Sequence, residues 1–133
     1  MKRYLIQFCA FILVSLIALT SCTGITSSGL TGNYRQDTLD LISSLRTAIE
    51  LPEETPEKAA AQANARTLIN SFAARYRRDS SVSRLPSFTT MQTALNGLAS
   101  HYTAYPNRPV PEKLKQRLDR EFKQIELSLK RES

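Results

Sequence analysis

Apolar positions recur at steps of three and four along four stretches of the chain, the spacing that lines one face of an α-helix. Tyr34, Leu41, Ile42, Leu45, Ala48 and Ile49 mark a first helix from Tyr34 to about Leu51. Ala61, Ala65, Leu68, Ile69, Phe72 and Tyr76 mark a second, from Pro56 to about Arg78. Phe88, Met91, Leu95, Leu98, Tyr102 and Tyr105 mark a third, from Phe88 to about Ala104. Leu114, Leu118, Phe122, Ile125 and Leu129 mark a fourth, from Pro111 to about Lys130. No convincing alternating run of β-branched residues argues for a strand.

The punctuation between these stretches agrees with the periodicity. Asn33 is a natural cap for the first helix, and Pro52 ends it. Thr55 caps the second, with Pro56 at its first position and Glu57 near the positive end of its dipole. Ser87 is the expected cap of the third helix, after the break "DSSVSRLP", and "YPNRPVP" is a stiff turn before the fourth. Arg117–Glu121, Asp119–Lys123 and Glu126–Lys130 sit four apart on the last helix, the spacing of surface ion pairs. Gly97 interrupts the third helix and suggests close packing there. Short links between amphipathic helices predict an all-α fold, a four-helix up-down-up-down antiparallel bundle over residues 34–133.

The N-terminal segment follows another pattern. Lys2 and Arg3 precede an uncharged apolar run over residues 4–19, and no further charge appears until Arg35. That run is short for a bilayer span, which needs about 20 residues. A basic start, an apolar core and small residues at its end make residues 1–21 an export signal. The junction Leu19-Thr20-Ser21-Cys22 resembles the bacterial lipobox, in which the cysteine becomes the mature N-terminus and its sulfur carries a diacylglyceryl group. Cys9 would be lost with the signal, leaving Cys22 the one cysteine and excluding an intramolecular disulfide. Two or more acyl chains give stable anchoring, each buried methylene contributing about 0.8 kcal/mol. Residues 22–33, rich in Gly, Ser and Thr, read as the lipidated N-terminus and a flexible tether of at most roughly 35–40 Å.

Charge and chemistry narrow the function. The chain has 18 Lys+Arg and 12 Asp+Glu; removing Lys2 and Arg3 leaves 16 against 12, a formal +4. Export makes nucleic acid no expected partner and favours an acidic protein surface or anionic headgroups. Catalysis finds little support. His101 is the single histidine and lies beside the apolar stripe, and no nucleophile elbow exists. Zinc-ligand spacing is absent, and Glu53, Glu54 and Glu57 read as acids at a helix N-terminus, so neither metal nor cofactor is expected. Arg77 and Arg78, in "RYRRD", and Tyr105 and Arg108, in "YTAYPNRP", are the candidate partner-binding residues, being types that dominate interface energetics.

Taken together, "GLTGNYRQDTLDLISSLRTAI", "FAARYRRD", "MQTALNGLASHY" and "YPNRPVPEKLKQRLDREFKQ" resemble the photosystem II assembly lipoproteins of cyanobacteria, the Psb-twenty-seven family. The resemblance covers nearly the whole mature chain. It implies a non-catalytic, monomeric accessory factor of photosystem II biogenesis and repair, lipid-anchored on the lumenal side of the thylakoid membrane. It implies binding to the core complex, at the lumenal loop of the forty-three-kilodalton inner chlorophyll antenna, before the manganese cluster and extrinsic proteins assemble. The alternative is a generic envelope lipoprotein that binds another membrane protein.

Overall fold

Each apolar stripe buries itself against its neighbours, and the result is four helices: α1 (Tyr34–Glu50), α2 (Pro56–Tyr76), α3 (Pro86–Ala104) and α4 (Glu112–Arg131). The structure is a computed structural model that describes residues 29–106 and 108–132. The export signal, Cys22 and the start of the tether lie outside the described residues. Among those described there is no strand, and no helix is long and apolar enough to cross a membrane.

Side-chain contacts fix the topology. Tyr34 at the start of α1 meets Tyr76 at the end of α2, ring centroids 5.2 Å apart. The Tyr34 hydroxyl lies 2.7 Å from Ser87 Oγ at the start of α3. Ser87 in turn meets Glu132, just past the end of α4. Successive helices therefore run in opposite directions, as the short links predicted, and this shared level is called the near end below. α1 packs along α2, α3 along α4, and the two hairpins join chiefly through α1 and α4. The core is filled by Leu41, Leu45, Phe72, Met91, Leu98 and Phe122, all nearly inaccessible to solvent.

The caps expected for α1 and α2 are in place. Asn33 Oδ1 accepts the Gln36 amide at 3.1 Å, and Thr55 Oγ1 accepts the Lys58 amide at 3.2 Å. Ser87 is not the cap of α3. The helix begins two residues earlier than expected, at Pro86, whose ring presets a helical φ, and Leu85 at the cap position offers no side-chain acceptor. The acceptor comes from another helix. Glu132 Oε1 takes the Ser87 amide at 3.0 Å, and its Oε2 takes the Ser87 hydroxyl at 2.6 Å. A carboxylate at a helix N-terminus also satisfies the dipole. Since the carboxylate can only accept, the Ser87 hydroxyl donates to it and accepts from Tyr34. Glu132→Ala is expected to cost about 1–2 kcal/mol, as loss of a cap does, and urea unfolding of that variant measures it.

Other expectations shift for equally local reasons. Glu126 does not reach for Lys130; it pairs with Arg46 of α1 at 2.7 Å, while Arg117–Glu121 and Lys123–Asp119 form as spaced, at 3.0 and 2.7 Å. Gly97 is not required by close packing, because a methyl group there would sit 3.9 Å from Leu114 Cδ1, an ordinary contact. Tyr105 leaves the stripe of α3. It is the residue past the helix end and stands 49% exposed, whereas Tyr102 is buried.

The last part of the tether is also not free. Residues 29–33 form a strap folded onto the bundle at α1 and α2. Leu30 is buried, and Gly29 and Gly32 hold φ values of +69° and +88°, open to glycine at little cost. The strap is fastened by Asp37. This carboxylate accepts from the Thr31 amide at 2.7 Å, the Thr31 hydroxyl at 2.6 Å, the Gly32 amide at 3.1 Å and the Tyr76 hydroxyl. Cys22 lies seven residues before Gly29, hence at most roughly 25 Å from it.

Candidate partner-binding groove

Few side chains of α2 are large where it faces α3. Its first half is alanine-rich, and between the two helices lies a groove rather than a closed seam. Three adjoining clefts make it up. The middle one, about 300 Å³, is lined by Arg66, Ile69, Asn70, Ala99, Tyr102 and Thr103, with Pro106 at its rim. Toward the near end it continues, through Asn70 and Ala99, into a cleft of about 260 Å³ that includes Arg77, Gln92 and Asn96. Toward the far end it meets, at Pro106, a third of about 260 Å³ that includes Glu53, Lys58, Gln62 and Arg108.

Three arginines, Arg66, Arg77 and Arg108, are spread along the groove, one in each cleft, with Glu53 and Glu54 confined to the far-end one. The Arg66 guanidinium lies 5.4 Å above the Tyr102 ring and has no carboxylate partner among the described residues. The Tyr102 hydroxyl is buried and has no hydrogen-bond partner among the described residues. Burial pushes that phenol's pKa up, with the Arg66 charge pulling the other way and Glu53 adding to the rise, so it stays a proton donor. A buried donor without an acceptor is uncommon, because it costs about 1–3 kcal/mol.

At the far corner Tyr105 and Arg108 do come together. The Arg108 guanidinium lies 5.5 Å from the Tyr105 ring, a cation–π contact that holds both flat on the surface. His101 braces the corner: its ring is 5.6 Å from Tyr105, and its Nε2 is 3.3 Å from the Arg108 carbonyl oxygen. Val110 plugs the turn into the core. His101 is thus half of a structural contact with the backbone.

Arg77 and Arg78 do not join this corner. They follow α2 at the near end, the length of a helix away, or roughly 30 Å. Arg77 lines the near end of the groove, while Arg78 lines none of the three clefts. The four candidates therefore fall on two surfaces. Arg66 and Asn70 were not singled out by the sequence, and Tyr102 stood there as part of the apolar stripe. Their signal is faint: Arg66 and Asn70 sit four apart on α2, but nothing local says that α3 stands off opposite them. Of the acids of "EETPE", Glu53 pairs at 3.1 Å with the buried Lys58 ammonium, which also donates to the Leu51 carbonyl at 3.3 Å, while Glu54 and Glu57 stand exposed. Among the described residues no three acidic, histidine or cysteine side chains converge as a metal site would need.

A family model described as Photosystem II Pbs27 matches residues 6–129, nearly the whole chain. The chain belongs to this family. Over all 133 residues it is 61% identical to the photosystem II assembly factor lipoprotein Psb27 of Thermosynechococcus vestitus, covering 100% of this chain and 98% of that one. It is 33% identical over 99 residues to the chloroplastic photosystem II repair protein PSB27-H1 of Arabidopsis thaliana, covering 74% of this chain and 57% of the relative. A solution structure of Psb27 from cyanobacterial photosystem II superposes with a TM-score of 0.74 at 53% identity, covering 85% of this chain and 96% of that structure. The Pbs27 family and the four-helix fold thus agree with each other and with the resemblance read from the sequence.

Proposed function

We propose that the protein is a non-catalytic, monomeric accessory factor of photosystem II assembly and repair, held on the lumenal side of the thylakoid membrane by lipid on Cys22. It binds the core complex at the lumenal loop of the forty-three-kilodalton inner chlorophyll antenna, before the manganese cluster and extrinsic proteins assemble. The observation that carries this reading is identity of 61% over the full chain to a relative named as a photosystem II assembly factor lipoprotein.

The groove supports it physically. Arg66, Arg77 and Arg108 put positive charge along one cleft, and Tyr102 leaves a buried hydroxyl waiting for an acceptor. An acidic loop laid along the groove supplies both the charge and the acceptor. Tyr105 and Arg108, already preorganised against each other, lose little side-chain entropy on contact. A lipid anchor raises the local concentration of the partner, so such a site works while binding weakly enough to release.

Capture of tagged protein from native membranes tests the reading. Photosystem II core subunits are expected with the wild-type chain, and Tyr105→Ala/Arg108→Ala is expected to lower their recovery about tenfold or more. Their consistent absence favours a lipoprotein of another membrane protein instead. In the same cells, Cys22→Ala is expected to weaken retention on membranes while its helical content and unfolding midpoint stay unchanged. Unfolding of that variant would contradict the separation of anchor from bundle.

A further inference from the structure

We propose that the near end of the bundle is a docking surface for anionic lipid headgroups, which orients the anchored domain on its membrane. This deepens the reading of Cys22 as a lipid anchor but concerns a different surface. The charged residues are sorted along the long axis of the bundle. Arg35, Arg75, Arg77, Arg78, Arg84 and Arg131 are all exposed at or beside the near end. The acids there are largely occupied or hidden: Asp37 is buried under the strap, and Glu132 is bound to Ser87. Asp79 is exposed but accepts from the amide and hydroxyl of Ser81. The far end carries exposed Glu50, Glu53, Glu54, Glu57 and Glu112 against exposed Arg108 and Lys113, so acids prevail there.

Arg46, Lys58, Arg117 and Lys123, elsewhere on the bundle, each have a carboxylate partner. Arg35, Arg78, Arg84 and Arg131 have none among the described residues. Unpaired cations occur elsewhere too, Arg66, Arg108 and Lys113 having no carboxylate partner among the described residues, and what distinguishes the near end is how many it gathers. Guanidinium groups without protein partners are free to take phosphate or sulfonate oxygens in a forked geometry.

The strap makes this end available to a leaflet. Gly29 lies beside Leu68, eight residues before Tyr76 on α2, about 12 Å short of the near end. The link back to Cys22 spans at most roughly 25 Å, enough to bring either end of the bundle to the surface. The tether therefore sets proximity and charge sets orientation. Screening confines the attraction to about 8 Å at physiological salt, so only the end that touches the leaflet responds to it. With the near end down, the corner of Tyr105 and Arg108 points away from the lipid, free for a protein.

The test uses the mature chain from residue 22 with Cys22→Ala, so that binding depends on neither the lipid nor the export signal. It is sedimented with vesicles of phosphatidylcholine alone or with a one-third share of phosphatidylglycerol. Binding is expected only to the anionic vesicles and is lost in high salt. Arg78→Gln/Arg131→Gln is expected to lower the partition coefficient about 30-fold. Arg108→Gln/Lys113→Gln, the same charge change at the far end, is expected to lower it by about twofold or less. All four side chains are exposed, and circular dichroism checks that both variants fold. Equal losses in the two variants mean that net charge alone acts, and overturn the proposal. So does equal binding to both vesicle types, or binding to photosystem II membranes with none to anionic vesicles. The mass of the mature wild-type protein reports the anchor separately, so failure of one reading is distinguishable from failure of the other.

Discussion

Replacing Asp37 with alanine is expected to destabilise the bundle by about 3 kcal/mol and to free the strap. The substitution removes the acceptor of Thr31, Gly32 and Tyr76 together; the buried Tyr76 hydroxyl left without a partner costs about 1–3 kcal/mol, and the two strap residues, nearer solvent, add the lesser loss of their hydrogen bonds. Against a total stability of about 5–15 kcal/mol for a domain, this is a large fraction. Urea unfolding gives the loss, and hydrogen exchange locates it: the Thr31 and Gly32 amides are expected to exchange far faster, while those of α4 change only with global stability. Unchanged exchange at Thr31 would show that Asp37 does not fasten the strap.

The same residue predicts a pH dependence at both extremes. Burial alone would raise the Asp37 pKa; hydrogen bonds from Thr31 and Tyr76 side chains and from the Thr31 and Gly32 amides outweigh it and leave the group below the usual carboxylate range. A depressed folded pKa contributes stability present above the unfolded value of about 4, and lost as pH falls below it. Tyr76 behaves oppositely. Burial, then its hydrogen bond to Asp37, pushes the phenol up to about 12. Its contribution is present below the ordinary value of about 10 and lost as pH rises toward 12, by about 3 kcal/mol. Tyr76→Phe is expected to flatten the alkaline limb relative to wild type, and Asp37→Asn the acidic one.

Phe72→Ala is expected to cost about 4 kcal/mol, with a fall in Tm of roughly 20 °C for a domain this size. Phe72 is 1% exposed and is the hub of an aromatic cluster at the near end. Its ring centroid is 5.0 Å from Tyr76, 6.1 Å from Tyr34 and 6.3 Å from Phe88, so it touches α1 and α3 as well as its own helix. Truncation empties the wall between core and groove where α2 and α3 have least else to hold them. Phe72→Leu keeps most of the volume and is expected to lose much less. Thermal unfolding followed by circular dichroism compares the two, and equal effects would mean that ring volume is not what Phe72 contributes.

The candidate site was legible only in pieces. Tyr105 and Arg108 share a proline-stiffened turn, so their proximity is a short-range matter and appears in the sequence. Arg77 and Arg78 look equally suited by type, yet they lie at the other end because α2 and α3 run in opposite directions. Arg66 and Tyr102 face each other across a groove whose width depends on how two hairpins meet, which no local spacing encodes.

What the sequence determined by itself was everything carried by contacts within a few residues. Helical periodicity placed four helices, Asn33 and Thr55 capped two of them, and short links forced alternating directions. Its whole-length pattern also carried the family. Tertiary structure decided the rest, because those choices depend on residues distant in the chain. Glu126 had a suitable cation four residues on and took Arg46 instead, 80 residues away in sequence. Ser87 looked like a cap and is instead capped by Glu132, just past the C-terminal end of α4. A tether composed for flexibility was fastened because the bundle holds a buried carboxylate at Asp37 that needs donors, and the strap has two amides and a hydroxyl to give.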